Sequence, residues 1–211
     1  MRIKDDDLEL IDIDSEPKRE EAKRRAERRR KKKQKAILKE ILGNSLFLLA
    51  VFLITLCLVK FVGQRTVVVG SSMESTLQDG DNLIVDKISY DFNDPKRFDI
   101  IVFPFSYESG TYYIKRIIGL PGETVRIDED GNIFINNELL EEHYGREVMT
   151  DPGIAEDGIV LGENQYFVLG DNRNHSSDSR TSAVGLIQKE RIIGRAWIRI
   201  YPFNKFGNIN K

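Results

Sequence analysis

The chain has 211 residues, 31% of them charged and 40% hydrophobic, with a formal net charge of only −2. That length holds one folded domain with an anchor and a tail, and a lone cysteine, Cys57, excludes both a disulfide within the monomer and a cysteine metal cluster. The near-zero charge hides a division: Lys18 to Lys39 carries thirteen Lys or Arg against three Glu, whereas Thr66 to Lys211 carries fifteen basic residues against twenty-three acidic ones, so the two ends face different surroundings.

The first seventeen residues are acidic, with Asp5, Asp6, Asp7, Glu9, Asp12, Asp14 and Glu16, and lack an apolar stripe longer than a turn, which predicts disorder. The basic run after Pro17 is built of good helix formers but has no apolar face, so it is not core. Nucleic-acid binding is one reading of such a run. Its place immediately before a hydrophobic segment favours another, in which Lys and Arg hold that flank in the cytoplasm and meet anionic headgroups. Residues 1–40 are therefore expected to form a charged cytoplasmic tail, largely disordered.

Ile41 to Val62 carries a single charge, Lys60, near its end, where it can snorkel to the interface. As a helix this stretch spans roughly 33 Å, enough for the hydrocarbon core. A buried core helix and a removable signal peptide are the alternatives, but V-G-Q-R-T after the apolar run offers no convincing small-x-small cleavage site. One uncleaved span is expected over 41–62, with the amino terminus inside and the rest outside.

From Thr66 onward short alternating runs are punctuated by Asp79-Gly80, Asp130-Gly131 and Gly170-Asp171, and no long helical period follows Val62. Strands are predicted at 66–69, 82–87, 99–103, 111–119, 124–127, 132–135, 165–169 and 192–200. The expected class for 66–211 is mainly β, a sandwich or barrel behind a single amino-terminal transmembrane helix.

Within this domain V-V-V-G-S-S-M-E-S-T-L at Val67–Leu77 reads as a strand ending at Gly70 in a tight bend that presents a hydroxyl, with Ser72 as candidate nucleophile. Serines in such turns commonly bond only to their own backbone. Lys115 sits in an otherwise apolar strand in which alternation points Lys115 and Arg116 to opposite faces, so one of the two cations must go inward. A buried lysine loses pKa to desolvation and becomes a usable base, while a lysine at a sheet edge simply snorkels. The loop G-D-N-R-N-H-S-S-D-S-R, Gly170–Arg180, offers Ser176 to orient a neutral lysine and Asp178 to pair with Arg116 or Arg180. It also offers His175, but His175 and Asp178 lie too close in one turn for a relay through both to Ser72.

These blocks, together with G-D-N-L-I-V-D-K at Gly80, R-F-D-I-I-V-F-P at Arg97 and Y-I-K-R-I-I-G-L-P-G-E at Tyr113, resemble the bacterial type I signal peptidases, membrane-bound Ser/Lys-dyad proteases, in a compact Gram-positive-like form. The resemblance covers about Val62 to Pro202. It implies that Ser72 is the nucleophile and Lys115 the general base, that Ser176 hydrogen-bonds the lysine, and that Asp178 and Arg180 form a structural ion pair. Pockets for small side chains would be lined by Val68, Gly70, Met73, Val102 and Ile114, although alternation sets Ile114 opposite Lys115. It further implies an extracytoplasmic catalytic domain that needs no metal or organic cofactor. Its partners would be secretory precursor proteins and membrane lipids, with the secretion translocon a further candidate and nucleic acid not expected.

The chain departs from the family pattern in three places. Ser75 stands where proline is common, Phe98 where glycine is common, and Gly70 where some relatives carry an oxyanion-stabilising serine. The oxyanion role would then fall to backbone N–H groups, that of Ser72 among them. Readings outside this resemblance are a catalytically idle membrane-anchored assembly factor on the same fold and a tethered β domain that binds peptides without cutting them. Soluble self-cleaving repressors share the Ser-Met block but carry a DNA-binding domain where this chain has a tail and a span.

Overall fold

The structure, a computed structural model, describes residues 15–57, 63–105, 108 and 110–209. The chain divides into two units, Met1–Thr55 and Leu56–Lys211.

The described residues of the first unit all lie in one helix, α1 (Ser15–Cys57). Of the tail expected to be largely disordered, residues 1–14 lie outside the described residues, and from Ser15 the chain is helical. Helix-forming residues account for this, reinforced by the i,i+4 pairs Arg24–Glu20, Arg25–Glu21 and Lys31–Glu27, each contributing about 0.3–0.5 kcal/mol. Further along, Leu46, Phe47, Leu49, Phe52 and Ile54 are all exposed. The helix is long and apolar enough to cross a membrane. The last five residues of the expected span, 58–62, lie outside the described residues.

The second unit is mainly β. Its elements are β1 (Gly63–Val67), β2 (Asn82–Asp86), the short helix α2 (Ser89–Phe92), β3 (Ile100–Pro104), β4 (Tyr112–Gly119), β5 (Thr124–Ile127), β6 (Ile133–Ile135), β7 (Glu138–Leu139), β8 (Ile159–Val160), β9 (Gln165–Leu169), β10 (Ile187–Gln188), β11 (Gly194–Tyr201) and β12 (Gly207–Asn208). An eight-stranded sheet runs β1-β2-β11-β3-β4-β9-β10 with β12 on β11, and a four-stranded sheet runs β7-β6-β5-β8. Each predicted strand has its counterpart within a few residues. The pairs β7, β8, β10 and β12 were not predicted, because two residues show no alternation.

Three apolar clusters form where alternate side chains of these strands meet. On β4, Tyr113 and Ile117 join Phe103, Tyr166 and Val168, whereas Ile114 packs with Val68, Met73, Leu77 and Leu83. Ile118 joins the cluster beneath the smaller sheet, with Val125, Ile127 and Phe167. Burial on both faces makes β4 the rigid element on which a functional group can be held in place.

One pairing detail creates open space. From Tyr112 to Arg116 β4 is paired with β3, but its pairing with β9 begins only at Arg116. Among the described residues the first half of β4 therefore has a free edge, facing away from β3. On the other side, β1 ends its ladder at Val67, opposite Asn82. Val68 then turns into the core while Val69 is 87% exposed.

Candidate active site

The bend after β1 is held by its own backbone. The amide of Glu74 donates to Ser71 O, and those of Thr76 and Leu77 donate to Met73 O. Gly70 enters it with φ of +91°, a conformation that a Cβ disfavours, and its N–H donates to Asp79 Oδ1 at 2.8 Å. That donor is thus already used. Among the described residues the Ser72 N–H donates to no carbonyl or side chain.

Lys115 is 3% exposed. Its Nζ lies 2.8 Å from Ser72 Oγ and donates to the Ile114 carbonyl at 3.1 Å. The flexible stem folds back along its own strand, which lets Lys115 meet Ser72 while Ile114 faces the Val68 cluster. Burial pushes the lysine pKa down to about 8, against the carboxylates of Asp178 and Asp171, which pull it up. The Tyr113 ring, 4.9 Å from Nζ, also favours the charged form.

Of the two partners offered for Asp178, Arg116 is not the one it takes. Neither cation of the pair is left outside: Arg116 is 1% exposed, and its partner is Asp171 rather than Asp178. Its Nε and Nη2 donate to Asp171 at 2.9 and 2.7 Å, its Nη1 donates to Phe98 O at 2.9 Å, and the Tyr144 ring covers the guanidinium at 3.7 Å. Alternation says only that neighbours point apart; with both sheet faces covered, each direction leads into protein. Asp178 pairs with Arg180 as expected, Arg180 Nε and Nη2 donating at 2.8 and 2.9 Å. Phe98 has φ of +73° and sets its ring 5.1 Å from that of Tyr144, so a left-handed backbone that glycine adopts without strain is held here by a residue with an aromatic contact.

Two expectations are corrected. Ser176 Oγ is buried without a hydrogen-bond partner, so it does not bind Lys115 here. It packs instead on Gly170, where a Cβ would fall 2.5 Å from both Ser176 Cβ and Ser72 O; the close approach is what requires glycine there. Met73, 1% exposed, is core rather than pocket. Val68, Val102 and Ile114 do line a groove of about 380 Å³, along with Val69, Gly110 and Tyr113. His175 is exposed, with Asp178 occupied by Arg180 and Gly170 N–H, so a histidine triad is not assembled.

Sequence reasoning passed over Asp171, Thr76 and Asn172. Thr76 Oγ1 donates to Asp171 Oδ2 at 2.5 Å and accepts from Arg116 Nη2 at 3.1 Å, tying the serine bend to β4. All three residues lie inside motif blocks, yet no periodicity marks which of a block's polar groups turn inward.

A family described as "Signal peptidase, peptidase S26" matches residues 38–201. The chain is 40% identical over 152 residues to a probable signal peptidase I-2 of Synechocystis, covering 70% of this chain and 67% of that protein. It is 35% identical over 174 residues to a signal peptidase I of Bacillus licheniformis, covering 77% of this chain and 92% of that protein. A crystal structure of a signal peptidase I from Enterococcus faecalis is 37% identical, covering 49% of this chain and 97% of that one, with a TM-score of 0.41. The bend, the buried lysine beside it and the groove thus occur within a match that takes in most of the chain, and the chain belongs to the signal peptidase family, peptidase S26.

Proposed function

We propose that this chain is a membrane-bound serine endopeptidase that removes signal peptides from translocated precursors, with Ser72 as nucleophile and Lys115 as general base. The 2.8 Å approach of a buried lysine amine to Ser72 Oγ carries the reading. Deprotonated, the amine accepts the Ser72 proton as Oγ attacks the scissile carbonyl, and the Ser72 N–H donates a hydrogen bond to the tetrahedral oxyanion. The lysinium then gives its proton to the leaving amine, and water repeats the sequence on the acyl-enzyme.

Substrate binds as an added strand along the free edge of β4, opposite Val68–Val69, with backbone hydrogen bonds supplying affinity. Alternate side chains then face the same wall, where Val68, Val102 and Ile114 leave room for small groups. This supports cleavage after a small-x-small sequence.

Detergent-solubilised protein mixed with a precursor is expected to give one cut, mapped by mass spectrometry to that sequence. The acidic limb of kcat/KM should fall as pH drops through about 8, where Lys115 gains its proton. His175→Ala should leave the limb in place. A limb near pH 6.5 that disappears in His175→Ala assigns the base to histidine and sinks the dyad.

The basic run before the span places the amino terminus in the cytoplasm and the β domain outside. Ser72 follows Val62 by ten positions, at most about 35 Å of chain, which supports a nucleophile near the outer leaflet, where a translocated precursor presents its cut site. Protease added to intact spheroplasts is expected to digest the β domain and spare the segment before Ile41. Protection of the β domain would separate the enzyme from its substrates and refute this orientation.

A further inference from the structure

Asn172 touches both peptide units that flank Ser72. Its side-chain Nδ2 donates to Ser71 O at 3.0 Å, and its backbone N–H donates to Ser72 O at 3.1 Å. The Asn172 side chain is 2% exposed and its Oδ1 has no partner. Only an amide N–H₂ suits a carbonyl at Nδ2's position, so the orientation of the group is set even though its oxygen goes unsatisfied. An orphan of this kind is disfavoured in a core unless the contact on its other side matters.

The Ser71 carbonyl and the Ser72 N–H belong to one planar trans peptide, and they point in opposite directions. Whatever holds the carbonyl aims the N–H. The bend contributes a local hold through Glu74 N–H, 3.1 Å from Ser71 O, but that bond moves with the bend. Asn172 comes from the segment directly after β9, the strand paired with Arg116 and Ile117 of β4. Through Asn172 the Ser72 peptide is registered against the strand that carries Lys115.

We infer that Asn172 is a positioning residue for the reaction, aiming the Ser72 N–H at the place where the oxyanion develops. The inference rests on the reading of Ser72 as nucleophile. A donor misaimed by a fraction of an ångström weakens most where charge is greatest, in the transition state, and hardly affects ground-state binding along the β4 edge.

Asn172→Ala in the full chain is therefore expected to lower kcat about 10–100-fold, below the roughly 10²–10³-fold cost of deleting an oxyanion donor outright, with KM within about twofold of wild type. The acidic limb set by Lys115 should stay in place. Affinity for a peptide aldehyde that forms a tetrahedral adduct should fall with kcat, while affinity for an uncleavable peptide with proline after the cut site should not. Asn172→Asp keeps the shape but loses the donor, and it carries the same test should the alanine variant fail to fold. Near-wild-type kcat in a folded variant, or equal losses for aldehyde and uncleavable peptide, overturns the inference. Ser72→Ala run alongside separates the two failures: activity in that variant overturns the nucleophile itself, whereas inactivity there with full activity in Asn172→Ala overturns only the role of Asn172.

Discussion

Ser72→Ala and Lys115→Met are each expected to reduce cleavage by at least about 10³-fold, because in the proposed mechanism nucleophile and base act as a unit. Ser71→Ala should retain substantial activity, since the lysine contact goes to Ser72. The two inactive variants differ in stability. Burial lowers the Lys115 pKa from 10.5 to about 8, so between those values the unfolded lysine keeps a proton that the folded one has released. Native stability therefore rises with pH across that window, and below pH 8 the fold carries the full cost of a buried charge. At about 1.4 kcal/mol per pKa unit, offset by roughly 1 kcal/mol for the lost hydrogen bonds, Lys115→Met should stabilise the domain by about 2 kcal/mol at pH 7. The advantage should vanish above pH 10.5. Urea denaturation at several pH values measures it, and a Met variant less stable than wild type at neutral pH would mean that the lysine's contacts outweigh its desolvation.

Asp171→Ala should be the most damaging substitution to the fold. Asp171 is fully buried, and removing it leaves the Arg116 guanidinium in the interior with only the Phe98 carbonyl, Thr76 Oγ1 and the Tyr144 ring. Breaking one side of such a pair costs about 3–5 kcal/mol, a large part of a stability of about 5–15 kcal/mol. At about 2–4 °C per kcal/mol for a domain of this size, Tm should fall by roughly 10 °C. The double variant Arg116→Met with Asp171→Leu should recover much of the loss, as apolar replacements of buried pairs do. Asp171 also pulls the Lys115 pKa up, so under conditions where Asp171→Ala is folded its acidic limb should shift to lower pH. An unchanged Tm, or a limb displaced to higher pH, contradicts this account of the pair.

The order of elements was legible in the sequence because it is written in local patterns. Apolar run length marked the apolar part of α1, alternation marked the longer strands, and Gly70 marked the bend that presents Ser72; the Ser-Met and Tyr-Ile-Lys-Arg blocks singled out Ser72 and Lys115 within them. What only the tertiary structure decided is which polar groups meet. Arg116 pairs with Asp171, fifty-five positions away, while Asp178, equally available by composition, goes to Arg180 two positions away. Asn172, one residue beyond Asp171, clamps a serine bend from which it is separated by one hundred and one positions. Ser176 packs on Gly170 without a hydrogen bond, and Met73 is core. The physical reason is that a side chain's partner depends on the crossing of strands distant in sequence and on the few ångströms left between them. Composition and periodicity carry no term for that distance.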